Sequence, residues 1–200
     1  HLRECGRTVQ LLRKEAFLPG ADTVYTSSVF STPASAARVD RLRRYYGDSM
    51  QVGGSGVDLK RRLPPEVEAL PADFGLYPEL EDRAIGFLTR GCSSRCSFCV
   101  VPQKEGPVRR VSDLDLLLAG RKKLILLDDN ILAHPDAGAL LEEMAGRGVN
   151  VNFTQTLDLR LLTRELAAII KRVHCSNTRF TRPNYHFSLN NSRGLDRVRA

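Results

Sequence analysis

The sequence predicts an α/β fold: a partial (β/α) barrel preceded by a small, incomplete α/β domain. Three observations carry this. From Arg83 onward, short β-type runs alternate with amphipathic stretches, the order that builds parallel sheets with right-handed crossovers. A stretch holding Pro64, Pro65, Pro71 and Pro78 separates that series from what precedes it. Proline removes a donor and fixes φ, so this stretch reads as a linker. Three of the five cysteines, Cys92, Cys96 and Cys99, share one loop with C-x3-C-x2-C spacing, directly after the first β-type run. The expected organisation is an α/β part over 1–62, a proline-rich linker over 63–82 and the partial barrel over 83–200.

Leu2 to Phe17 has apolar residues at helical spacing, Cys5, Val9, Leu12 and Ala16, and Pro19-Gly20 closes it, so a helix is expected. Thr23 to Phe30 is rich in β-branched and aromatic residues and reads as a strand. Ser35 to Tyr46 reads as a helix with Ala37, Leu42 and Tyr45 inward. Met50-Gln51-Val52 is a short strand running into Gly53-Gly54-Ser55-Gly56. That turn either lets backbone approach a ligand or is simply tight. No clear amphipathic helix follows it, so the tight turn is favoured over a dinucleotide fingerprint.

In the second part, Arg83–Thr89 is the first strand. Ser112-Asp113-Leu114-Asp115 resembles a capping box with Asp in place of Glu, opening a helix to about Ala119 that Gly120 closes. Lys123 to Leu127 is continuously apolar after its lysine, as a strand buried on both faces requires, and Asp128-Asp129-Asn130 ends it. Pro135 and Asp136 suit a helix start; Leu140, Leu141 and Met144 share a side, and Gly146 and Gly148 end it. Val149–Phe153 is a third strand, Arg164–Val173 a helix and Asn184–Leu189 a fourth strand. Arg197 to Ala200 read as the start of another helix. A full barrel takes about 250 residues, so an open arc of about four strands is expected, in a chain that reads as a fragment at both ends.

Composition narrows the function classes. Hydrophobic residues make up 42% and charged residues 26%, ordinary for a globular protein. No apolar run approaches the ~18–20 residues of a membrane helix, so no membrane partner is expected. The net charge of +7 is spread over both ends without a long basic block. Its densest group, Arg38, Arg41, Arg43 and Arg44, suits a solvated helix face, so a nucleic-acid partner is not favoured. An odd cysteine count with three clustered argues for a reducing, cytoplasmic setting and against a secreted disulfide framework. Cys5 and Cys175 read as small buried hydrophobes.

Three soft thiolates suit zinc or iron–sulfur. Structural zinc needs a fourth protein ligand. His134, His174, Cys175 and His186 are the candidates, and none sits in a second C-x2-C knuckle. A 4Fe–4S cluster with one iron left open fits the triad better.

The stretch GFLTRGCSSRCSFCVVPQKEG, residues 86–106, resembles the core of the radical S-adenosylmethionine (radical SAM) enzymes. In that superfamily the C-x3-C-x2-C loop follows the first barrel strand, and an aromatic residue usually precedes the third cysteine, as Phe98 does here. The resemblance continues through Leu126–Leu132 and Phe153–Arg160. It looks like a subgroup with a Rossmann-like, cobalamin-binding-like domain ahead of a radical-SAM-type barrel. Residues 1–62 lack the D-x-H-x-x-G signature for cobalt, and cobalamin is not predicted.

The resemblance implies that Cys92, Cys96 and Cys99 hold three irons of a 4Fe–4S cluster. The fourth iron would take the amino and carboxylate groups of S-adenosyl-L-methionine. An electron from a donor such as flavodoxin or ferredoxin would cleave that cofactor to a 5′-deoxyadenosyl radical acting on an unknown substrate. Phe98 is placed to pack near adenine or in the core. Asp128, Asp129 and Asn130 are expected at the ligand's amino group, or at a plain turn. Gln155 and Asp158 would meet ribose hydroxyls, and Arg160 would grip a carboxylate bidentately or pair with Asp158 in a surface loop. Arg90, Lys104 and Glu105 flank the loop. Two competing readings are a non-catalytic zinc or iron–sulfur module with a nucleic-acid partner, and a methylthiotransferase acting on RNA. The latter shares the cysteine loop, but no second cysteine triad precedes it here.

Overall fold

The computed structural model of the chain describes residues 1–13, 17–94 and 96–190. The chain divides into two compact units, His1–Glu68 and the remainder from Ala69. The division falls inside the proline-rich stretch.

In the first unit, β1 (Val24–Ser27), α1 (Pro33–Tyr46) and β2 (Met50–Gly53) form one β–α–β crossover. The strands pair parallel, with Val24 opposite Met50. Thr32 caps α1: its Oγ1 accepts the Ser35 N–H at 3.2 Å. Pro33 takes the first helical position, where its missing N–H costs nothing. Val39 and Leu42 pack on Met50 and Val52, with Tyr46 beside them. These lie at i, i+3 and i+7 on one stripe. The expected Ala37 and Tyr45 do not share that stripe. Tyr45 is exposed and meets Phe17 at 4.5 Å between ring centroids.

The glycine turn after β2 is a packing device. A Cβ on Gly54 would lie 2.3 Å from the Ser28 carbonyl oxygen, and one on Gly56 2.3 Å from that of Phe30. The Gly56 N–H donates to the Ser28 oxygen at 2.9 Å. A short helix, α2 (Pro65–Glu68), ends the unit. The helix expected over Leu2–Phe17 does not form. Residues 2–6 make a turn and 7–13 have no regular structure, while 14–16, including Ala16, lie outside the described residues. Cys5 is exposed rather than buried. So short a helix gains too little from its own hydrogen bonds unless an apolar face finds a partner, and Leu12 remains exposed.

The second unit runs β3 (Arg83–Gly86), β4 (Thr89–Arg90), α3 (Val101–Glu105), β5 (Arg109–Arg110), α4 (Leu114–Leu118), β6 (Lys123–Leu126), α5 (Ala137–Gly146), β7 (Asn150–Phe153), β8 (Leu157–Asp158), α6 (Arg164–Ile170), β9 (His174–Cys175) and β10 (Phe187–Ser188). Strands β3, β6, β7 and β9 form a parallel sheet in that order. This is the parallel α/β arrangement that the alternating pattern requires. β3 and β9 are its edges among the described residues. The fourth strand is β9, not Asn184–Leu189; within that stretch, β10 pairs with β8 instead. Arg197 to Ala200 lie outside the described residues.

Leu124, Leu126, Val151 and Phe153 from the strands join Leu114, Leu118, Leu140, Leu141, Met144 and Ile170 from the helices in one core. Each fully buried leucine contributes about 1.5–3 kcal/mol. Strand alternation turns Ile125 and Asn152 to the opposite face. The expected capping box does not form: Asp113 makes no cap bond and instead accepts from Arg110 Nη2 at 2.6 Å. Residues 69–82 wrap on this unit. Phe74 packs against the core, and the Arg121 guanidinium lies 4.3 Å from its ring centre.

Candidate metal centre

The cysteines ride on a loop whose ends are held together. β4 leads into it, α3 carries the chain back, and β5 pairs antiparallel with β4, Thr89 opposite Arg110. Gly91 sits at the crossing with φ +93°. A Cβ there would lie 2.4 Å from the Pro107 oxygen and 2.7 Å from that of Gly106. Only glycine fits both the angle and the space. The Cys92 N–H donates to the Gly106 oxygen at 3.1 Å and completes the closure.

The end of β6 anchors this loop. Asp128 Oδ1 accepts the Leu88 N–H at 2.8 Å. Its Oδ2 accepts the Thr89 N–H at 2.9 Å and the Thr89 hydroxyl at 2.7 Å. All of these atoms are buried, where an unmet N–H is costly. Burial pushes the Asp128 carboxyl up to about 6, against the opposing pull of those donors. Asp129 Oδ2 accepts the Gly91 N–H at 2.9 Å. Burial raises its carboxyl too, the Gly91 bond opposing, and nearby Glu105 adds to the rise. Two of the three residues expected at a ligand's amino group thus hold the backbone at the start of the cysteine loop.

Asn130 is different. It is buried, and its Nδ2 faces Cys92 Sγ at 3.5 Å and Asp158 Oδ2 at 3.4 Å. Its Oδ1 is buried without a hydrogen-bond partner among the described residues. Such an acceptor costs about 1–3 kcal/mol until a donor meets it.

Arg160 closes the other side. Asp158 Oδ1 accepts from Arg160 Nε at 2.8 Å, and Oδ2 from Nη2 at 2.5 Å. Burial works to raise the Asp158 carboxyl, but Arg160 outweighs it and holds the group below its ordinary value. Asp158, and less strongly Cys96, in turn raise the guanidinium. Arg160 Nη2 donates to Ser94 Oγ at 3.2 Å, between Cys92 and Cys96 in the loop. Of the two alternatives for Arg160, pairing with Asp158 is the one present.

Cys92, Cys96 and Cys99 are half-buried free thiols. Among the described residues no three His, Cys, Asp or Glu side chains converge as a metal cage, so the triad shares a loop without being drawn to one point. Phe98 is 72% exposed, which removes the core-packing alternative. Gln155 is exposed in the turn after β7 and is not brought to Asp158 by any side-chain bond among the described residues. Cys175 is buried as expected, and burial pushes its thiol up to about 12, which leaves it inert. His134 Nδ1 accepts the Asp136 N–H at 3.1 Å. Among the described residues, neither Cys175 nor these three histidines form a metal-holding group with the cysteines.

Three contributors went unforeseen: Thr89, Ser94 and the Gly91–Gly106 closure. Gly91 immediately before Cys92, with Gly106-Pro107 on the return, was the available signal for the last. Glu105 gathers Arg90, Lys104 and Arg109 at 3.9, 3.5 and 3.8 Å. On the Asn152 face of the sheet an open hollow of about 430 Å³ is lined by polar groups, including Thr154, Arg179 and Arg182.

No protein-family model matches the chain. Curated relatives do. A ribosomal protein uS12 methylthiotransferase RimO from one strain of Thermus thermophilus is 27% identical over 146 residues, covering 65% of this chain and 33% of that protein. The RimO of a second Thermus thermophilus strain is 25% identical with the same coverage. A tRNA-2-methylthio-N(6)-dimethylallyladenosine synthase of Chlorobium phaeobacteroides is 33% identical over 131 residues, covering 50% of this chain and 29% of that protein. The chain therefore spans about a third of the length of the curated relatives it matches. These relatives are radical SAM enzymes, whose family uses 4Fe–4S clusters and S-adenosylmethionine. By these matches the chain is related to the radical SAM enzymes, as its cysteine loop implied. Within that superfamily the relatives are methylthiotransferases, named for a ribosomal protein and for tRNA.

Proposed function

We propose that this chain carries the cluster-binding part of a radical SAM enzyme. Cys92, Cys96 and Cys99 would hold a 4Fe–4S cluster with one iron open to S-adenosylmethionine. The observation that carries the reading is Asn130: an orphaned, buried Oδ1 on a side chain whose Nδ2 faces Cys92. The donor set fits the cluster, being three soft thiolates on one closed loop. The acceptor left unmet among the described residues fits the cofactor, whose amino group would keep N–H donors when it binds the open iron. When bound, the cluster and cofactor supply one-electron cleavage of the sulfonium–carbon bond and a 5′-deoxyadenosyl radical that takes hydrogen from substrate.

The chain's own residues position that chemistry. Asp128 and Asp129 fix the approach to Cys92 through the Leu88, Thr89 and Gly91 amides. Asn130 orients the cofactor's amino group. Exposed Phe98 and Gln155 are free to meet adenine and ribose. Asp158, engaged by Arg160, braces the site rather than binding ribose. We place the second unit as part of a (β/α) barrel, fed by a donor such as flavodoxin or ferredoxin in a reducing, cytoplasmic setting. No helix among the described residues is long and apolar enough to cross a membrane. The relatives' names raise methylthiolation as the outcome. Cys5 is the sole cysteine ahead of Cys92, so within this chain the reading rests at cleavage of S-adenosylmethionine.

The test is an anaerobic assay for 5′-deoxyadenosine, with the reconstituted chain and its Cys96→Ala variant. Product from the first and none from the second is expected. Equal yields remove the mechanism, and one tightly held zinc without labile sulfide favours a non-catalytic module instead.

A further inference from the structure

Arg160 is locked in place. Its fork is bound by Asp158 through two side-chain bonds, and the Asp158 side chain is only 5% exposed. The guanidinium reaches from that clamp to Ser94 Oγ at 3.2 Å, inside the cysteine loop between Cys92 and Cys96. A guanidinium already held in this way is poorly placed to seize a ligand carboxylate. What it offers instead is a fixed positive charge, 18% exposed, against the loop that carries the three thiols. Guanidinium keeps its charge at any working pH, and partial burial spares it from salt screening.

We propose that Arg160, clamped by Asp158, is a positioning residue that makes the cluster easier to reduce by holding a cation against the cysteine loop at Ser94. The inference rests on the proposed cluster. Taking up one electron adds a negative charge to an assembly of iron, sulfide and thiolates. A neighbouring cation and hydrogen bonds to sulfur favour the more negative form, two recognised controls on cluster potential. Asp158 sets the size of the effect, because its carboxylate offsets part of the charge while fixing the direction of the fork.

The experiment is a reductive titration, followed by electron paramagnetic resonance, of the anaerobically reconstituted chain and three variants. Arg160→Gln removes the cation and leaves Asp158 facing the site. Its preference for the reduced form falls at least tenfold, a midpoint lower by about 59 mV for one electron. Arg160→Lys keeps the charge and returns most of the way to the starting value. Asp158→Asn uncovers the cation and moves the midpoint upward. A bracing role alone would loosen the loop in both Arg160→Gln and Asp158→Asn and shift them the same way. Shifts in the same direction, or less than a twofold change in Arg160→Gln, overturn the proposal. If Arg160→Gln holds no cluster, Asp158→Asn decides: an upward shift supports the proposal and any other result overturns it. If the unmodified chain itself takes up no iron and sulfide, the cluster reading fails first and this inference falls with it.

Discussion

Replacing Gly91 with alanine tests the loop closure at its tightest point. Two effects combine. The residue sits at φ +93°, a conformation that costs a side-chain-bearing residue about 1–3 kcal/mol. The new Cβ would also lie 2.4 Å from the Pro107 oxygen, a backbone atom that cannot swing aside. The return strand must then move, which breaks the Cys92–Gly106 bond and strains the Gly91–Asp129 bond. Each amide left buried and unmet costs about 1–3 kcal/mol. With one bond broken, the sum is about 2–6 kcal/mol. Gly106→Ala is the matched control: its φ of +75° brings strain, but nothing lies within 4 Å of its Cβ. Its cost should stay near 1–2 kcal/mol. Urea unfolding of both variants measures the difference, expected at about 2 kcal/mol or more, and iron uptake should fail in Gly91→Ala alone. Equal unfolding energies, or normal iron uptake by Gly91→Ala, would refute the closure as the device that presents the cysteines.

Three further outcomes follow from the same geometry. The Asp128 carboxyl titrates near 6 in the folded chain against an ordinary 3.8, so its stabilising effect is full below about 3.8 and lost as pH rises past 6. Stability of the unmodified chain minus that of Asp128→Asn should therefore fall by about 2 kcal/mol between pH 4 and pH 7, and a flat difference in urea titrations contradicts this. Asn130→Ala should leave iron content unchanged and weaken S-adenosylmethionine binding about tenfold, as loss of one hydrogen bond to the cofactor's amino group requires; calorimetry on the reconstituted chain reads it. Phe98→Ala should change stability by less than about 0.5 kcal/mol because the ring is exposed, while still lowering affinity for the cofactor; a large drop in stability means the ring is a core residue after all.

The parallel sheet was legible where burial wrote a long pattern. Lys123 to Leu126 and Asn150 to Phe153 are the inner strands of the sheet, and Leu124, Leu126, Val151 and Phe153 pack on the helices that cover one face. His174–Cys175 escaped notice because two residues hold no period to read, and its place is set by pairing with β7. Leu2 to Arg13 shows the converse: the helical spacing is there, but local hydrogen bonds cannot hold so short a helix alone. At the site, the loop of three cysteines and the polar triplet after β6 were both visible in the chain. The roles within the triplet were not. Sequence placed Asp128, Asp129 and Asn130 together at a strand end, yet only coordinates show two carboxylates turned onto the loop's amides and one amide oxygen left without a donor among the described residues. The Arg160–Asp158 clamp, by contrast, was one of two alternatives already readable from an arginine two residues after an aspartate.

The central claim is that three cysteines on a closed loop hold a cluster with one open position. Anaerobic reconstitution, followed by iron and sulfide analysis and by electron paramagnetic resonance of the reduced protein with and without S-adenosylmethionine, tests it most directly. About four irons and four sulfides per chain are expected, lost in Cys92→Ala, with a signal that changes when the cofactor is added. A single zinc without sulfide, or a cluster signal indifferent to S-adenosylmethionine, would contradict it.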